Sequence, residues 1–257
     1  MAIATTMRHT GNGGTTGSQT QVTNSTTATA SSLLIAVGGV QCEATDQAFS
    51  WQTPTGGGLT YTSVREENHI GAGGTYRVGT QVFRAPISAS PAAHTITFDA
   101  WSTTQTGWYS GKAFDITGHN TTTPIVQTAG NSGQGAGSDT VAATIVLGGT
   151  PVTGNEVIAI FTVAADSGGG FAIPTAGGGN SFTAINNENQ AYTQIGIFKR
   201  TWTGGESLTI TCSDLGQACY SWSAVAFEVA VAAGAAATSI VVPSRAGFSK
   251  RNHLLRR

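Results

Sequence analysis

Leu33-Leu34-Ile35-Ala36-Val37 is the stretch that decides the fold, and Val157-Ile158-Ala159-Ile160 is its counterpart in the second half of the chain. Both runs are short and apolar, and Gly38-Gly39 follows the first. A continuous apolar run of this length predicts a central β-strand that is packed on both faces or held closely by its neighbours. We therefore expect one such strand in each half.

Around these two runs, six landmarks recur in the same order. They are Gly11-Asn12 and Gly130-Asn131; the two apolar runs; Pro54-Thr55-Gly56-Gly57-Gly58 and Pro174-Thr175-Ala176-Gly177-Gly178-Gly179; Val82-Phe83-Arg84 and Ile197-Phe198-Lys199-Arg200; Thr95-Ile96-Thr97 and Thr209-Ile210-Thr211; and Ala113-Phe114-Asp115-Ile116 and Ala226-Phe227-Glu228-Val229. Their spacing is that of a whole domain, which indicates a duplicated folding unit and argues against a short solenoid period.

The composition favours short strands joined by tight turns. Only 10% of the 257 residues are charged, and 35 are glycine. The spacing of apolar segments predicts seven or eight strands in the first unit, and the second unit repeats the plan. We predict an all-β fold of two tandem antiparallel β-sandwiches, of jelly-roll or immunoglobulin-like topology.

The repeat also predicts the domain boundaries. The first sandwich covers residues 1–118 and the second covers residues 125–232. Between them, residues 119–124 form a polar linker that ends in Pro124, too short to let the two units tumble independently. Residues 233–257 begin with a run of Ala and Gly and form an extended basic C-terminal arm.

Charge separates this arm from the body. From residue 245 onward the chain has five cations and no acid, whereas the rest has seven cations and thirteen acids. One interpretation is a solvated, frayed terminus; the other is a segment that docks on a partner. The candidate partner-binding residues are Ile240, Val241, Val242, Arg245, Phe248, Lys250, Arg251, Arg256 and Arg257.

The sequence gives no sign of secretion or of a membrane span. Residues 1–11 lack the apolar core of a signal peptide, and no apolar run reaches the length of a membrane helix. We expect a soluble product made in a cytoplasm. Cys212 and Cys219 could face each other across a hairpin, but buried or free thiols are the favoured interpretation in a reducing compartment.

Known catalytic and metal-binding patterns are not found in the sequence. It has no Gly-x-Ser-x-Gly motif and no His or Cys at zinc-ligand spacing. Asp115 and Glu228 hold equivalent positions, and we interpret them as solvated or turn-forming carboxylates, with the histidines at the surface. We therefore predict no catalytic residue, no metal and no cofactor.

Aromatic residues that the two copies do not share are the remaining candidates for a binding surface. They are Trp101, Trp108, Tyr109, Tyr220 and Trp222. Exposed at the end of a sandwich, they could stack on a sugar or anchor an interface. The alternative is that they plug the ends of the two cores.

Each unit resembles repeats of tailed-bacteriophage virion proteins in its Gly/Thr lead, its apolar strand of the Leu-Leu-Ile-Ala-Val type, its Pro-Thr turn with glycines and its closing strand of the Ala-Phe-Asp type. The likeness covers about residues 8–232. It implies a non-enzymatic structural protein of the virion, assembled in the host cytoplasm and present as a homo-oligomer beside other virion proteins. A minor tail protein is the first expectation, and a capsid decoration or head fibre protein is the second.

Two other classes of function remain as alternatives. A carbohydrate-binding host-attachment module would use the unshared aromatic residues to hold a surface glycan. Nucleic acid is a weaker candidate, because five cations on one terminus are not accompanied by a basic body.

Overall fold

The computed structural model describes residues 2–15, 20–42, 52–70, 76–99, 107–135, 141–165, 169–177, 180–188, 192–216 and 219–233. Within these ranges every regular element is a β-strand, and every strand pairing is antiparallel. The predicted all-β class is therefore confirmed.

Each half contributes seven strands to the fourteen of the described chain. The first seven are β1 (Ala4–Thr15), β2 (Thr20–Val22), β3 (Leu33–Cys42), β4 (Thr62–Ile70), β5 (Arg77–Pro86), β6 (Thr97–Asp99) and β7 (Gly107–Thr117). The second seven are β8 (Ile125–Gln134), β9 (Ala143–Val146), β10 (Glu156–Ala165), β11 (Thr183–Asn187), β12 (Tyr192–Thr201), β13 (Thr209–Cys212) and β14 (Cys219–Val229).

The two halves have the same sheet topology. In the first half, a five-stranded sheet has the order β1-β7-β3-β5-β4 and a two-stranded sheet pairs β2 with β6. In the second half, β8-β14-β10-β12-β11 and β9-β13 are their equivalents. The landmarks that repeat in the sequence therefore lie on equivalent strands and turns.

The strand order also decides between the two expected topologies. An immunoglobulin sandwich places its first, second, fourth and fifth strands in one sheet. Here the first strand pairs with the seventh, the second with the sixth and the third with the fifth. In this nested pairing the first and third strands lie in the large sheet and the second lies in the small sheet. That alternation is typical of a jelly roll.

The central strands β3 and β10 are buried along their whole length. On β3, Leu34 and Ala36 face the small sheet of their own half, where Phe98 and Ile96 complete a core. On β10, Val157, Ala159, Phe161 and Val163 do the same with Ile145 and Ile210 of the second half. Each half thus has its own core between a large and a small sheet.

A third core joins the two halves, because their large sheets pack face to face. On the first half it contains Leu33, Ile35, Val37, Val82, Phe114 and Ile116, and on the second it contains seven residues. They are Ile158, Ile160, Ile195, Ile197, Val225, Phe227 and Val229. The molecule is therefore four sheets deep, and the two large sheets are covered on both faces.

This packing follows a pseudo-twofold relation. Strand β3 contacts β10, β5 contacts β14, β7 contacts β12, β4 contacts β8, and β1 contacts β11. Exchanging each strand for its repeat equivalent returns these five contacts, as in an isologous interface, whereas the contact of β4 with β14 has no equivalent of similar extent between β11 and β7. The two halves therefore pack against each other approximately as the subunits of a symmetric dimer would.

One end of the shared core is polar. Thr80 Oγ1 lies 2.8 Å from Thr162 Oγ1 and 2.6 Å from Ser223 Oγ, and all three side chains are buried. Nearby, the Lys112 ammonium forms a buried ion pair with the Glu188 carboxylate of the other half. These contacts fix the lateral register of the two sheets, because an unmatched polar group would remain buried without a partner.

The strand registers define two ends of the molecule. At the end called here the joint pole, strands β3 and β10 begin, and residues 118–124 connect the halves. At the other end, the loop pole, β3 and β10 finish, and Gln41 Oε1 accepts a hydrogen bond from Ala165 N. In each half, four strand connections begin at the loop pole: those after β1, β3, β4 and β6, and after their equivalents.

Candidate functional site: two poles and a cleft

The predicted arm lies outside the described residues, as does Trp101. The described chain ends at Ala233. Just before it, Ala232 N donates to Gly118 O at 2.7 Å and Val231 N donates to Asn155 Oδ1 at 3.0 Å. The last described residues therefore lie at the joint pole, opposite the loop pole.

The remaining aromatic candidates are all near the loop pole, but their exposure differs. Tyr109 and Trp222 are 5% and 7% exposed, so their rings pack inside the body and offer no face to a sugar. Trp108 and Tyr220 are partly exposed. The structure also brings Tyr76 to Tyr220, with ring centroids 4.4 Å apart in a stacked pair that bridges the two halves.

Asp115 and Glu228 are buried, each about 1% exposed, so these acids are not solvated; they are the turn-forming carboxylates of the other interpretation. Asp115 Oδ2 accepts hydrogen bonds from Arg8 Nε, at 2.7 Å, and from Thr29 N. Glu228 accepts from Val152 N at 2.9 Å. In both halves, the acid of the closing strand therefore holds the turn that precedes the central strand.

Two histidines, His9 and His119, also depart from the expected surface position. His9 is fully buried, and its ring centroid lies 5.0 Å from that of His94. Burial lowers the pKa of His9, and the nearby His94 lowers it further, whereas the hydrogen bond to Asn24 O opposes this change. His9 is thus kept neutral inside the first core.

The cysteines are separate thiols in the structure. Cys42, Cys212 and Cys219 are buried, and burial raises the pKa of Cys212 and of Cys219 to about 12. No three His, Cys, Asp or Glu side chains come together as metal ligands in the described ranges. Nor does that part of the chain contain a helix long and apolar enough to cross a membrane.

A cleft of about 400 Å³ opens at the joint pole, between the first sandwich and the linker. Its lining combines one cation, one imidazole, five hydroxyl side chains and four apolar residues. They are Arg84, His119, Ser31, Ser32, Thr62, Thr121, Thr122, Leu33, Pro86, Ile87 and Pro124. The lining contains no acidic side chain among the residues that the structure describes.

The backbone fixes the two polar rims of this cleft. On the linker side, Asn120 Oδ1 accepts hydrogen bonds from Thr122 N at 2.9 Å and Thr123 N at 3.0 Å. On the sandwich side, Ser31 has a φ of 57°, and its N donates to Ser88 O. A non-glycine residue in the left-handed region is uncommon, and such strain concentrates at ligand sites.

The two ionisable groups of the cleft differ in charge. Arg84 is partly buried and makes no ion pair or hydrogen bond with any described residue. His119 Nδ1 lies 3.1 Å from Ile116 O, and since a carbonyl only accepts, this nitrogen carries the proton. Burial lowers the pKa of His119, so the imidazole is neutral near pH 7 and Nε2 is an acceptor.

A second cleft, of about 290 Å³, occupies the pseudo-symmetric position in the other half. Lys199 takes the place of Arg84, Thr183 that of Thr62, and Glu156 that of Leu33. Here Lys199 Nζ lies 3.8 Å from Glu156 Oε1. A second cation of this cleft, Arg200, lies 3.1 Å from Glu206 Oε1, so both cations here have a counter-charge, whereas Arg84 has none among the described residues.

The sequence interpretation did not identify Arg84 or His119 as site residues. Arg84 belongs to a repeated landmark, where a cation follows Phe83 in one copy and Phe198 in the other. That recurrence was the available signal, but it predicts an exposed charge as readily as a cleft. His119 had no signal, because its position depends on the linker's fold.

Comparison of the chain with protein-family models, with curated proteins and with solved structures gave no match.

Proposed function

We propose that this chain is a non-enzymatic structural protein of a tailed-bacteriophage virion, a minor tail protein held in place by its C-terminal arm. The observation that supports the proposal is that the joint pole and the loop pole lie at opposite ends of the molecule. The last described residues lie at the joint pole, where Ala232 N donates to Gly118 O, while four connections from each half begin at the loop pole. A body attached at its joint pole would direct its loop pole away from the particle, which suits display.

The use of the polar groups supports a structural role. Asp115, Glu228 and Glu188, all buried, hold turns or join the two halves. Catalytic carboxylates, by contrast, need an open side where a substrate can approach. A body whose buried acids are committed to its own contacts is suited to bear load and to provide contact area.

Attachment would come from the arm. Ile240, Val241 and Val242 would add a strand or an apolar ridge to a neighbouring subunit, and the cations from Arg245 onward would meet an acidic surface. Repeated copies around a symmetric tail would then be retained through avidity.

Deletion of residues 239–257 tests this mechanism. Full-length and shortened chains are assembled onto particles, and the copies retained after purification are quantified. We expect the shortened chain to be lost, whereas Val146→Ser, a change at a 61% exposed position of the body, should leave occupancy unchanged. Equal retention of the shortened chain would rule out the arm as the anchor.

Tail and capsid locations are distinguished by imaging. A label placed on the body should appear on the tail of intact particles if the proposal is correct. Label spread over the capsid would contradict a tail location and would favour the alternative, a capsid decoration protein.

A second candidate function is attachment to a host glycan through the loop pole. The observation in its favour is that the stacked Tyr76–Tyr220 pair and Trp108, all partly exposed, lie at this pole, because partly exposed rings can bind the apolar face of a sugar. Binding to a glycan array that drops with Trp108→Ala, and persists with Val126→Ala at a 49% exposed site, would support it. Equal signal with and without the Trp108 ring would exclude that ring as the site.

A further inference from the structure

We propose that the cleft beside Arg84 binds a small hydroxylated carboxylate, of the class of the hexuronic acids. This inference goes beyond the proposed function, which depends on the arm and the poles and requires no small ligand.

Charge is the first difference between the two pseudo-symmetric clefts. Of two equivalent clefts, one pairs its cation internally, Lys199 with Glu156, and the other places Leu33 where the acid would be. Arg84 is a partly buried residue whose guanidinium has no counter-ion among the described residues, which favours an anion from outside. Its planar fork of donors matches a carboxylate, which it can bind through two parallel hydrogen bonds.

The second step is the rest of the lining. The hydroxyl groups of Ser31, Thr62 and Thr121 can both donate and accept, and neutral His119 offers an acceptor at Nε2. This is the complement of a ligand that carries several hydroxyl groups. Leu33 and Pro124 provide apolar surface for the C–H face of a ring.

The third step is size and preorganisation. A volume of about 400 Å³ lies within the range of small-molecule sites and leaves room for a six-membered ring with its substituents. The rims are held by Asn120 and by the backbone at Ser31 before any ligand arrives. Less ordering is therefore needed on binding, which favours affinity.

Titration of the full-length protein with glucuronate, followed by backbone amide NMR, tests the proposal. We expect saturable shifts at Ser31, Thr62 and Thr121, with glucose binding at least tenfold more weakly because it lacks the carboxylate. Arg84→Gln should weaken glucuronate binding at least tenfold. The matched control is Lys199→Gln in the equivalent cleft, which should bind glucuronate as the wild type does.

Three results would overturn the proposal. One is the absence of saturable shifts in these residues. Another is equal affinity of the wild type and of Arg84→Gln for glucuronate, when the thermal unfolding curve of each protein shows that it is folded. The third is an affinity for acetate or inorganic phosphate equal to that for glucuronate, since it would mean that the hydroxyl lining contributes nothing. None of these results bears on retention of the arm.

Discussion

At the scale of single residues, the body uses its charges to hold its own chain. Asp115 and Glu228 lie on the two closing strands and reach the turns before the two central strands. The sequence placed acids at equivalent positions, but an acid in an alternating strand is normally interpreted as solvent-facing. A turn-forming role was the alternative interpretation, but the pattern could not show which turn each acid reaches, because the amides of that turn meet the strand only after the sandwich has folded.

Glu228→Gln tests how much one such carboxylate contributes. Glu228 accepts from Val152 N and Asn155 Nδ2 through Oε1, and from Gln127 Nε2 through Oε2. A glutamine has one acceptor oxygen, so its amide nitrogen would face a donor. We expect the free energy of unfolding to fall by about 2–4 kcal/mol in urea denaturation.

The matched control is Glu67→Gln. Glu67 forms a partly exposed ion pair with Arg65 at 3.1 Å, and pairs of this kind contribute little. We expect a change within about 0.5 kcal/mol. A loss as large as that of Glu228→Gln would mean that burial of the acid does not decide the outcome.

The buried histidines should make stability depend on pH. Burial lowers the pKa of both His9 and His119 below the ordinary value of 6.5, and for His9 the neighbouring His94 and Arg8 act in the same direction, while Asp115 opposes them. Below pH 6.5 the unfolded chain therefore binds protons that the folded chain excludes. The stabilisation is complete above pH 6.5 and is lost as the pH falls toward the lowered pKa values.

Urea denaturation at steps between pH 8 and pH 5 measures this effect. We expect the free energy of unfolding to decrease on acidification and His9→Gln to show a shallower decrease. A stability that is flat across this range, or that rises on acidification, would contradict the assignment of neutral histidines to the folded state.

At the scale of the elements, the sequence predicted the central strands and their coverage on both faces. The continuous run from Leu33 to Val37 is β3, and its counterpart lies in β10. The turn through Gly56, Gly57 and Gly58 was also predicted, and all three glycines have positive φ. What covers the second face of each strand could not be predicted, because alternation shows that a face is buried and not which sheet lies against it.

Gly39 on β3 lies at a close approach of the two large sheets. A Cβ at this position would lie 2.8 Å from Ile195 Cγ1 and 2.9 Å from Thr162 Cγ2, both on the other half. Gly39→Val should therefore push the sheets apart and reduce the free energy of unfolding by about 1–3 kcal/mol. Gly148→Ala, where a Cβ meets nothing within 4 Å, should have no measurable effect in the same denaturation assay.

At the scale of the whole molecule, the two repeats behave as a symmetric pair within one chain. The shared core between the large sheets contains residues from both halves in similar number, and Lys112 pairs with Glu188 across it. The repeat in the sequence predicted two units, but it contained no information on their relative placement. That placement depends on the apolar face of each large sheet, which would be exposed if the units did not pack together. On the first half this face includes Ile35 and Phe114.

Because this shared core covers the outer face of the large sheet in each sandwich, the two halves should unfold together. Native-state hydrogen exchange can test this at the backbone amides of Leu34 and Ala36 on β3 and of Ala159 on β10. The slowest-exchanging amides of a protein report its global unfolding. Ile210→Ala removes buried volume from the second half's own core, away from the shared face, and should cost about 2–5 kcal/mol. If the halves form one cooperative unit, the amides of β3 lose the same protection as those of β10, although β3 makes no contact with the changed side chain. Loss of protection in β10 alone would show that the first sandwich stays folded when the second opens, and the shared core would then be a contact between independent domains.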